Sequence, residues 1–212
     1  MGHYKKYFSN KDFLTSLGIG VVLFVISLFV NIYAGTYATV HASNAVNDII
    51  LDNIPVFNLG DVFVYGPVIF WIFVTIICIR EPKRIPFVLK SIALFVFIRS
   101  FFVTLTHIGP YPTEVAINYN QKFVKDITFG GDLFFSGHTG LPFLMALIFW
   151  DHKYLRVIFT LTAVFFGVVV LLAHLHYSID VLSAFFITYS ISHIARVLFA
   201  HDRALFRVGI ER

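Results

Sequence analysis

The sequence predicts an all-α integral membrane protein, a bundle of six transmembrane helices forming one domain over residues 1–212. Three observations carry that expectation. Of the 212 residues, 58% are hydrophobic and only 13% charged, against about 25% charged in soluble chains. The mean hydropathy of +0.82 excludes a disordered chain. Segments such as VVLFVISLFV and VFFGVVVLL are apolar on every face, whereas membrane barrel strands alternate apolar and polar residues over about 10 positions. The single cysteine, Cys78, excludes a disulfide framework and a thiolate zinc site.

A span needs about 20 predominantly apolar residues, and the chain offers such stretches at about Leu14 to Ala34, Val62 to Ile79, Phe87 to Thr106, Leu133 to Trp150, Val157 to Ala173 and Val181 to Ala200. The first is too long for the apolar part of a secretory signal, although Lys5, Lys6 and Lys11 precede it and Val40-His41-Ala42 loosely resembles a cleavage site. Lys6 stands where an N-myristoylation signal at Gly2 needs Ser or Thr. Between the first two spans, SNAVNDIILDN (Ser43 to Asn53) reads either as a short interfacial helix capped by Ser43, with Val46, Ile49 and Ile50 on one side, or as an irregular loop. Trp150, beside Asp151, His152 and Lys153, fits an interface anchor.

The net charge of +4 brings no basic run that would suit nucleic acid. Lys and Arg instead report orientation. Eleven of them fall at the N-terminus, in the second and fourth connections and in the C-terminal tail, against two, Lys122 and Lys125, in the odd-numbered connections. Both termini are therefore expected in the cytoplasm, with the first, third and fifth connections facing the periplasm, lumen or cell exterior.

Ionisable groups at membrane depth cost several kcal/mol and usually pair or perform a function. Here they gather at the outward ends of spans: Arg99 and His107 in the third, Asp132, Ser136 and His138 at the start of the fourth, and His174, His176 and Asp180 between the fifth and sixth. Because spans alternate in direction, positions 138 and 176 return to one face of the membrane. In GGDLFFSGHTG, Ser136 can cap a helix whose first-turn N–H groups and positive dipole end favour a phosphate, with His138 in that turn able to exchange a proton with an attacking or leaving oxygen; taken alone, the motif also reads as a simple helix start with an interfacial histidine. In HLHYSID, His176 and Asp180 are four apart, so the carboxylate either fixes one ring nitrogen as a donor and leaves the other as a nucleophile, or simply forms a hydrogen-bonded pair that stabilises a helix end. His174 faces another side and reads as a packing residue; His193 falls near the opposite interface, and His3, His41, His152 and His201 are terminal or in connections.

SGH followed by H-x-x-x-D resembles the type 2 phosphatidic acid phosphatase (PAP2) superfamily, and GGDLFFSGHT with LLAHLHYSIDV resembles its sphingomyelin synthase branch. Arg99, Thr104 and GPYP at Gly109 to Pro112 resemble a third stretch of that branch more loosely. The resemblance covers roughly residues 90–190 and implies a PAP2-like bundle and a phosphohistidine mechanism. His176 would be the nucleophile on phosphorus and Asp180 would orient it, while His138 would serve as acid for the leaving alcohol and then as base for the acceptor. Arg99 would neutralise phosphate oxygens, and Asp132 would contact the headgroup or position a proton carrier; Ser136, Gly137 and Tyr177 complete the implied substrate-binding set.

The departures bear on the substrate. The phosphatase branch carries a Ser-Arg pair before the nucleophilic histidine, where this chain has Val169 and Val170, and no Lys-x6-Arg-Pro string occurs. A singly charged phosphodiester needs less compensation than a doubly charged monoester. The expected function is thus transfer of a phospho-headgroup from a phospholipid donor to a lipid hydroxyl, ceramide being the acceptor type the resemblance implies, with water ending the first step as phospholipase C-like hydrolysis. No cofactor is required, and no nucleic acid is a partner. The alternatives are a lipid phosphatase acting on phosphatidate or an isoprenyl pyrophosphate, and a non-catalytic transporter or metal-binding protein with His138, His176 and Asp180 as ligands. Tyr111, Glu114, Tyr119 and Asp126 are headgroup-contact candidates that do not discriminate choline from inositol.

Overall fold

The computed structural model describes residues 2–115 and 133–210, and every regular element within them is helical. A short helix, α1 (Gly2–Phe8), leads into α2 (Lys11–Val40). The break between them is set by Asn10, whose side chain accepts from Phe13 N at 2.8 Å as an N-cap. At 30 residues, α2 is about 45 Å long, more than the hydrocarbon core requires. The chain then runs through residues 41–59 and enters α3 (Gly60–Arg80). A Pro82–Arg84 3-10 turn reverses it into α4 (Ile85–Leu105), where Pro86 occupies the first turn, a position that needs no amide donor. After residue 132 come α5 (Gly137–Ile148), α6 (Lys153–Leu172), α7 (Ser178–Leu198) and α8 (Ala200–Val208).

Five of these helices are long and apolar enough to cross a membrane. They fall where hydropathy puts five of the six expected spans, each within a few residues at its ends. The sixth is shorter than expected: the stretch from Leu133 to Trp150 contains only the 12 residues of α5, about 18 Å of helix. Hydropathy runs on through Leu133, Phe134 and Phe135, but the helix starts only after Ser136 caps it, and it stops at a turn at Phe149 and Trp150. The far end of α5 lies at the basic end of the bundle, where Arg84 Nη2 approaches His152 Nε2 to 3.4 Å. Its first turn therefore ends inside the bundle.

The segment from Ser43 to Asn53 is an irregular loop ending in one 3-10 turn, Leu51–Asn53, rather than an interfacial helix. Its polar residues are spent on long-range contacts: Ser43 N and Oγ both donate to His107 O, at 2.7 and 2.5 Å, and Gly109 N donates to Asn44 O.

α4 is the central helix, with half of its apolar window buried, whereas α2 and α3 bury 22% and turn most of their surface outward. α2 and α4 pack side by side and run in the same direction. α5 lies between α4, α6 and α7 at Gly140, where a Cβ would come within 2.7 Å of the Phe95 ring and 2.9 Å of Thr188 Oγ1. The core between them is mainly aromatic, with Phe95, Phe135, Phe149 and Phe159 fully buried. At the basic end, α8 turns Leu205 and Phe206 inward and is locked by a buried ion pair: Asp202 Oδ2 meets Lys90 Nζ at 2.7 Å, and Ser16 Oγ donates to the other carboxylate oxygen.

Candidate active site

The site starts from the cap of α5. Ser136, fully buried, accepts from Thr139 N at 3.4 Å as its N-cap, and the first-turn N–H groups of Gly137 and His138 have no intrahelical partner. Arg99 lies across this helix start. Its Nε donates to Phe135 O at 2.7 Å, and an added Cβ on Gly137 would stand 3.5 Å from that nitrogen.

His138 is positioned by a neighbouring helix. Pro67 sits inside α3 and has no N–H, so the carbonyl of Phe63, four residues earlier, loses its helical donor. His138 Nε2 lies 3.1 Å from that oxygen, and its ring stacks on the Phe63 ring with centroids 4.0 Å apart. The bond makes Nε2 the donor and leaves Nδ1 as the nitrogen with a free lone pair.

His176 is delivered by the way α6 ends. His174 takes a left-handed conformation (φ 54°) at the position just beyond the helix cap that glycine usually fills. His174 N then donates to Leu171 O and Leu175 N to Val170 O, a double bond pattern that closes the helix and turns the chain sharply inward. The left-handed backbone is held by contacts of the His174 side chain, whose Nδ1 is 2.7 Å from Thr113 Oγ1. Two residues on, His176 Nδ1 meets Asp180 Oδ2 at 3.4 Å. The same oxygen accepts from Tyr177 N at 2.9 Å, so Asp180 serves both the imidazole and the start of α7. Its backbone carbonyl accepts from Ser136 N at 3.1 Å, which ties the two motifs into one unit. Among the described residues Asp180 Oδ1 has no partner, so the carboxylate keeps acceptor capacity for the imidazole.

The loop before α3 braces this unit. Asp48, 6% exposed, accepts from Ile50 N and Leu51 N through Oδ1 and from Ser178 N through Oδ2 at 2.6 Å. Burial works to raise the Asp48 carboxyl, but the Ser178, Leu51 and Ile50 donors outweigh it and hold the group below the ordinary aspartate value. The Tyr177 hydroxyl donates to Gly109 O at 2.8 Å and receives Val46 N at 3.2 Å. Tyr111 donates to Asp52, which pushes its hydroxyl up to about 12, and packs its ring edge-on against His174 and Tyr177.

Arg99, Gly137, His138 and His176 line a single cavity of about 730 Å³. The rest of its wall comes mainly from apolar residues of α2, α3 and α4, including Phe24, Leu28, Val68, Trp71 and Phe95. Leu28, Val68 and Ile72 are at once lining and exposed on the outer surface, so the cavity opens sideways between α2 and α3. Among the described residues Arg99 is the only Lys or Arg in its wall.

Of the expected site residues, Arg99, Gly137, His138 and His176 meet in this cavity, with Asp180 directly behind His176. Ser136 and Tyr177 do not line it: the first caps α5, and the second is 2% exposed with its hydroxyl engaged. His174 packs as expected, and His107 lies beyond α4 against Tyr37 and His41. Asp132, Tyr119 and Asp126 lie outside the described residues. Val169 and Val170 are buried in α6. Among the described residues no group of three His, Cys, Asp or Glu side chains is gathered so as to hold a metal ion. Sequence reasoning missed Asp48 and Pro67, which act on the histidines from far along the chain.

The described residues thus form an all-helical bundle with five helices able to cross a membrane, in which two histidines, an aspartate behind one of them and an arginine meet at an apolar cavity. Residues 130–197, which hold both histidine motifs, match the family described as PAP2 superfamily C-terminal. The matched segment is about a third of the chain and is similar to a superfamily that generally comprises phosphatases and phosphotransferases. No curated protein and no solved structure matches the chain.

Proposed function

We propose that the chain is a lipid phosphotransferase that moves a phospho-headgroup from a glycerophospholipid to the hydroxyl of a second lipid, as in the sphingomyelin synthase branch its motifs resemble. The observation that carries the reading is the shared cavity: Arg99, His138 and His176 meet at one end of a space that is otherwise apolar and open toward lipid. In the first step the free nitrogen of His176 attacks phosphorus, the bond to the diacylglycerol oxygen breaks, and that oxygen takes the Nδ1 proton of His138, which enters the step as the imidazolium and leaves it neutral with Nε2–H still on Phe63 O. In the second, His138 takes the proton of the acceptor hydroxyl, whose oxygen attacks the phosphohistidine and releases His176. Water in place of the acceptor gives hydrolysis. Asp180 holds the tautomer of His176 and stabilises the charge it acquires, and Arg99 offsets charge on the phosphoryl oxygens.

A diester donor suits the cavity better than a monoester. The positions where the phosphatase branch has Ser-Arg are the buried Val169 and Val170, apolar side chains that supply no positive charge against the second negative charge of a monoester. On this reading the site faces the side opposite the cytoplasmic termini, in line with the distribution of Lys and Arg. Purified protein is incubated with labelled phosphatidylcholine, phosphatidylethanolamine and phosphatidylinositol, with and without ceramide, and with phosphatidate. Diacylglycerol from at least one diester, exceeding phosphate release from phosphatidate, supports the transferase; the reverse order identifies a phosphatase.

A further inference from the structure

We infer that Asn31 is a recognition residue for the acyl-linkage carbonyl of the bound lipid, the ester or amide group that joins the headgroup region to a fatty chain. The inference rests on the proposed lipid site and deepens it. Asn31 lies in the outward half of α2, within an otherwise apolar run, and lines the cavity that contains His138 and His176. Among the described residues its side-chain amide makes no hydrogen bond. A carboxamide at this depth with no protein partner is costly in a membrane segment, and it offers two donors and an acceptor to whatever occupies the cavity.

Its height fits a carbonyl next to the phosphate. The parallel helices α2 and α4 meet at Gly20, where a Cβ would lie 3.5 Å from both Leu89 Cβ and Pro86 O. Eleven residues beyond Gly20 along α2 and ten beyond Leu89 along α4 are Asn31 and Arg99, each about 15–17 Å past that contact. The two side chains therefore enter the same cavity at one level. With the phosphate at Arg99 and the histidines, the group one glycerol or sphingoid unit away faces Asn31. Phe24, Leu28 and Ile76 line the deeper part, which suits the hydrocarbon chain. Thr75, the hydroxyl side chain of the wall, sits in the basic half of α3, too deep to serve that carbonyl.

The test compares lipids that differ only at this linkage. Wild type and Asn31→Leu are titrated with short-chain diacyl and dialkyl phosphatidylcholine and phosphatidylethanolamine, and binding is read from the lipid-induced shift in Tm. A parallel arm uses ceramide and a neutral analogue in which an ether replaces the amide and the carbonyl is absent. Wild type should favour the carbonyl-bearing member of at least one pair by roughly five- to tenfold, the size of one neutral hydrogen bond, and Asn31→Leu should bring that ratio to about one. The arm in which the preference appears tells whether the carbonyl belongs to the donor ester or the acceptor amide. Because the ratio is taken within one preparation, a smaller folded fraction cancels; Asn31→Ala repeats the comparison with a smaller side chain. No wild-type preference in either arm, or an equal loss for both members of a pair, overturns the assignment. Absence of turnover with every donor overturns the transferase reading instead, and the binding ratios still decide the role of Asn31.

Discussion

The His138 imidazole lies 3.1 Å from the Phe63 carbonyl oxygen, the acceptor that Pro67 strips of its helical donor. A proline in one helix thereby fixes the ring tautomer of a histidine in another. Aspartate does the same for His176, so the two imidazoles are oriented by different means, one by a backbone dipole and one by a charge. The assignment suits their proposed roles: the nucleophile gains positive charge during attack and benefits from a carboxylate, whereas the acid must surrender its proton and does better beside a neutral acceptor.

Replacing Pro67 with Ala restores an amide donor to α3 and gives the Phe63 carbonyl its normal partner. The expected outcome is a fall in kcat of about tenfold, within the range that general acid–base catalysis supplies, with little change in KM and a Tm that is unchanged or higher. A pH–rate profile whose limb for His138 shifts in Pro67→Ala would separate loss of orientation from simple damage to the helix.

Asp180→Asn keeps an oxygen for Tyr177 N but can no longer stabilise an imidazolium at His176. Activity should drop by about 10³- to 10⁴-fold, as for the orienting aspartate of a hydrolytic triad, while the Tm moves little. Steady-state headgroup release and a thermal melt check the two halves of the statement.

How much of this was readable in the sequence depends on the separation of the partners. His176 and Asp180 are one helical turn apart, and Ser136 immediately precedes the turn it caps, so spacing alone revealed both. The spans were legible because lipid leaves every face of a helix apolar. The short reach of α5 was not, because hydropathy averages Leu133, Phe134 and Phe135 into the helix and cannot see that Ser136 is where it begins. Asp48 bonds Ser178 130 residues away, and Phe63 meets His138 75 residues away; no local period reports such pairs. The loop carrying Asp48 could be read as helix or as coil because its alternating polar residues serve distant partners.

Asp48 gives a pH dependence of definite sign. Its folded-state value is lowered below 3.8, so its contribution to stability is complete above that value and is lost as pH falls through the lower one. Asp48→Asn should remove this acid-side loss, reduce stability near neutrality by about 1–2 kcal/mol, as when charged acceptors of backbone N–H groups are lost, and slow turnover by loosening the start of α7. Thermal melts of both proteins between pH 3 and 7 test it.

Gly140→Ala places a methyl 2.7 Å from the Phe95 ring and 2.9 Å from Thr188 Oγ1. Overpacking of this kind costs about 1–3 kcal/mol, expected here as a lower Tm with proportionate loss of active protein.

At the opposite end, Asp202→Asn leaves Lys90 buried without its counter-charge. The expected cost is about 3–5 kcal/mol, whereas replacing both partners with Lys90→Met and Asp202→Leu should recover most of it. Activity per folded molecule should be unchanged in either protein, because the pair lies at the basic end of the bundle, away from the histidines. Chemical unfolding in detergent, with activity normalised to folded fraction, provides the comparison.

The central claim is that His176 carries the phospho-headgroup between donor and acceptor. Rapid quenching of the wild type with a donor labelled in its headgroup phosphate should trap label on the protein that is stable to alkali, labile to acid, located on the peptide containing His176, and absent from His176→Ala along with turnover. Full diacylglycerol release by His176→Ala, or label that persists in it, would contradict the account.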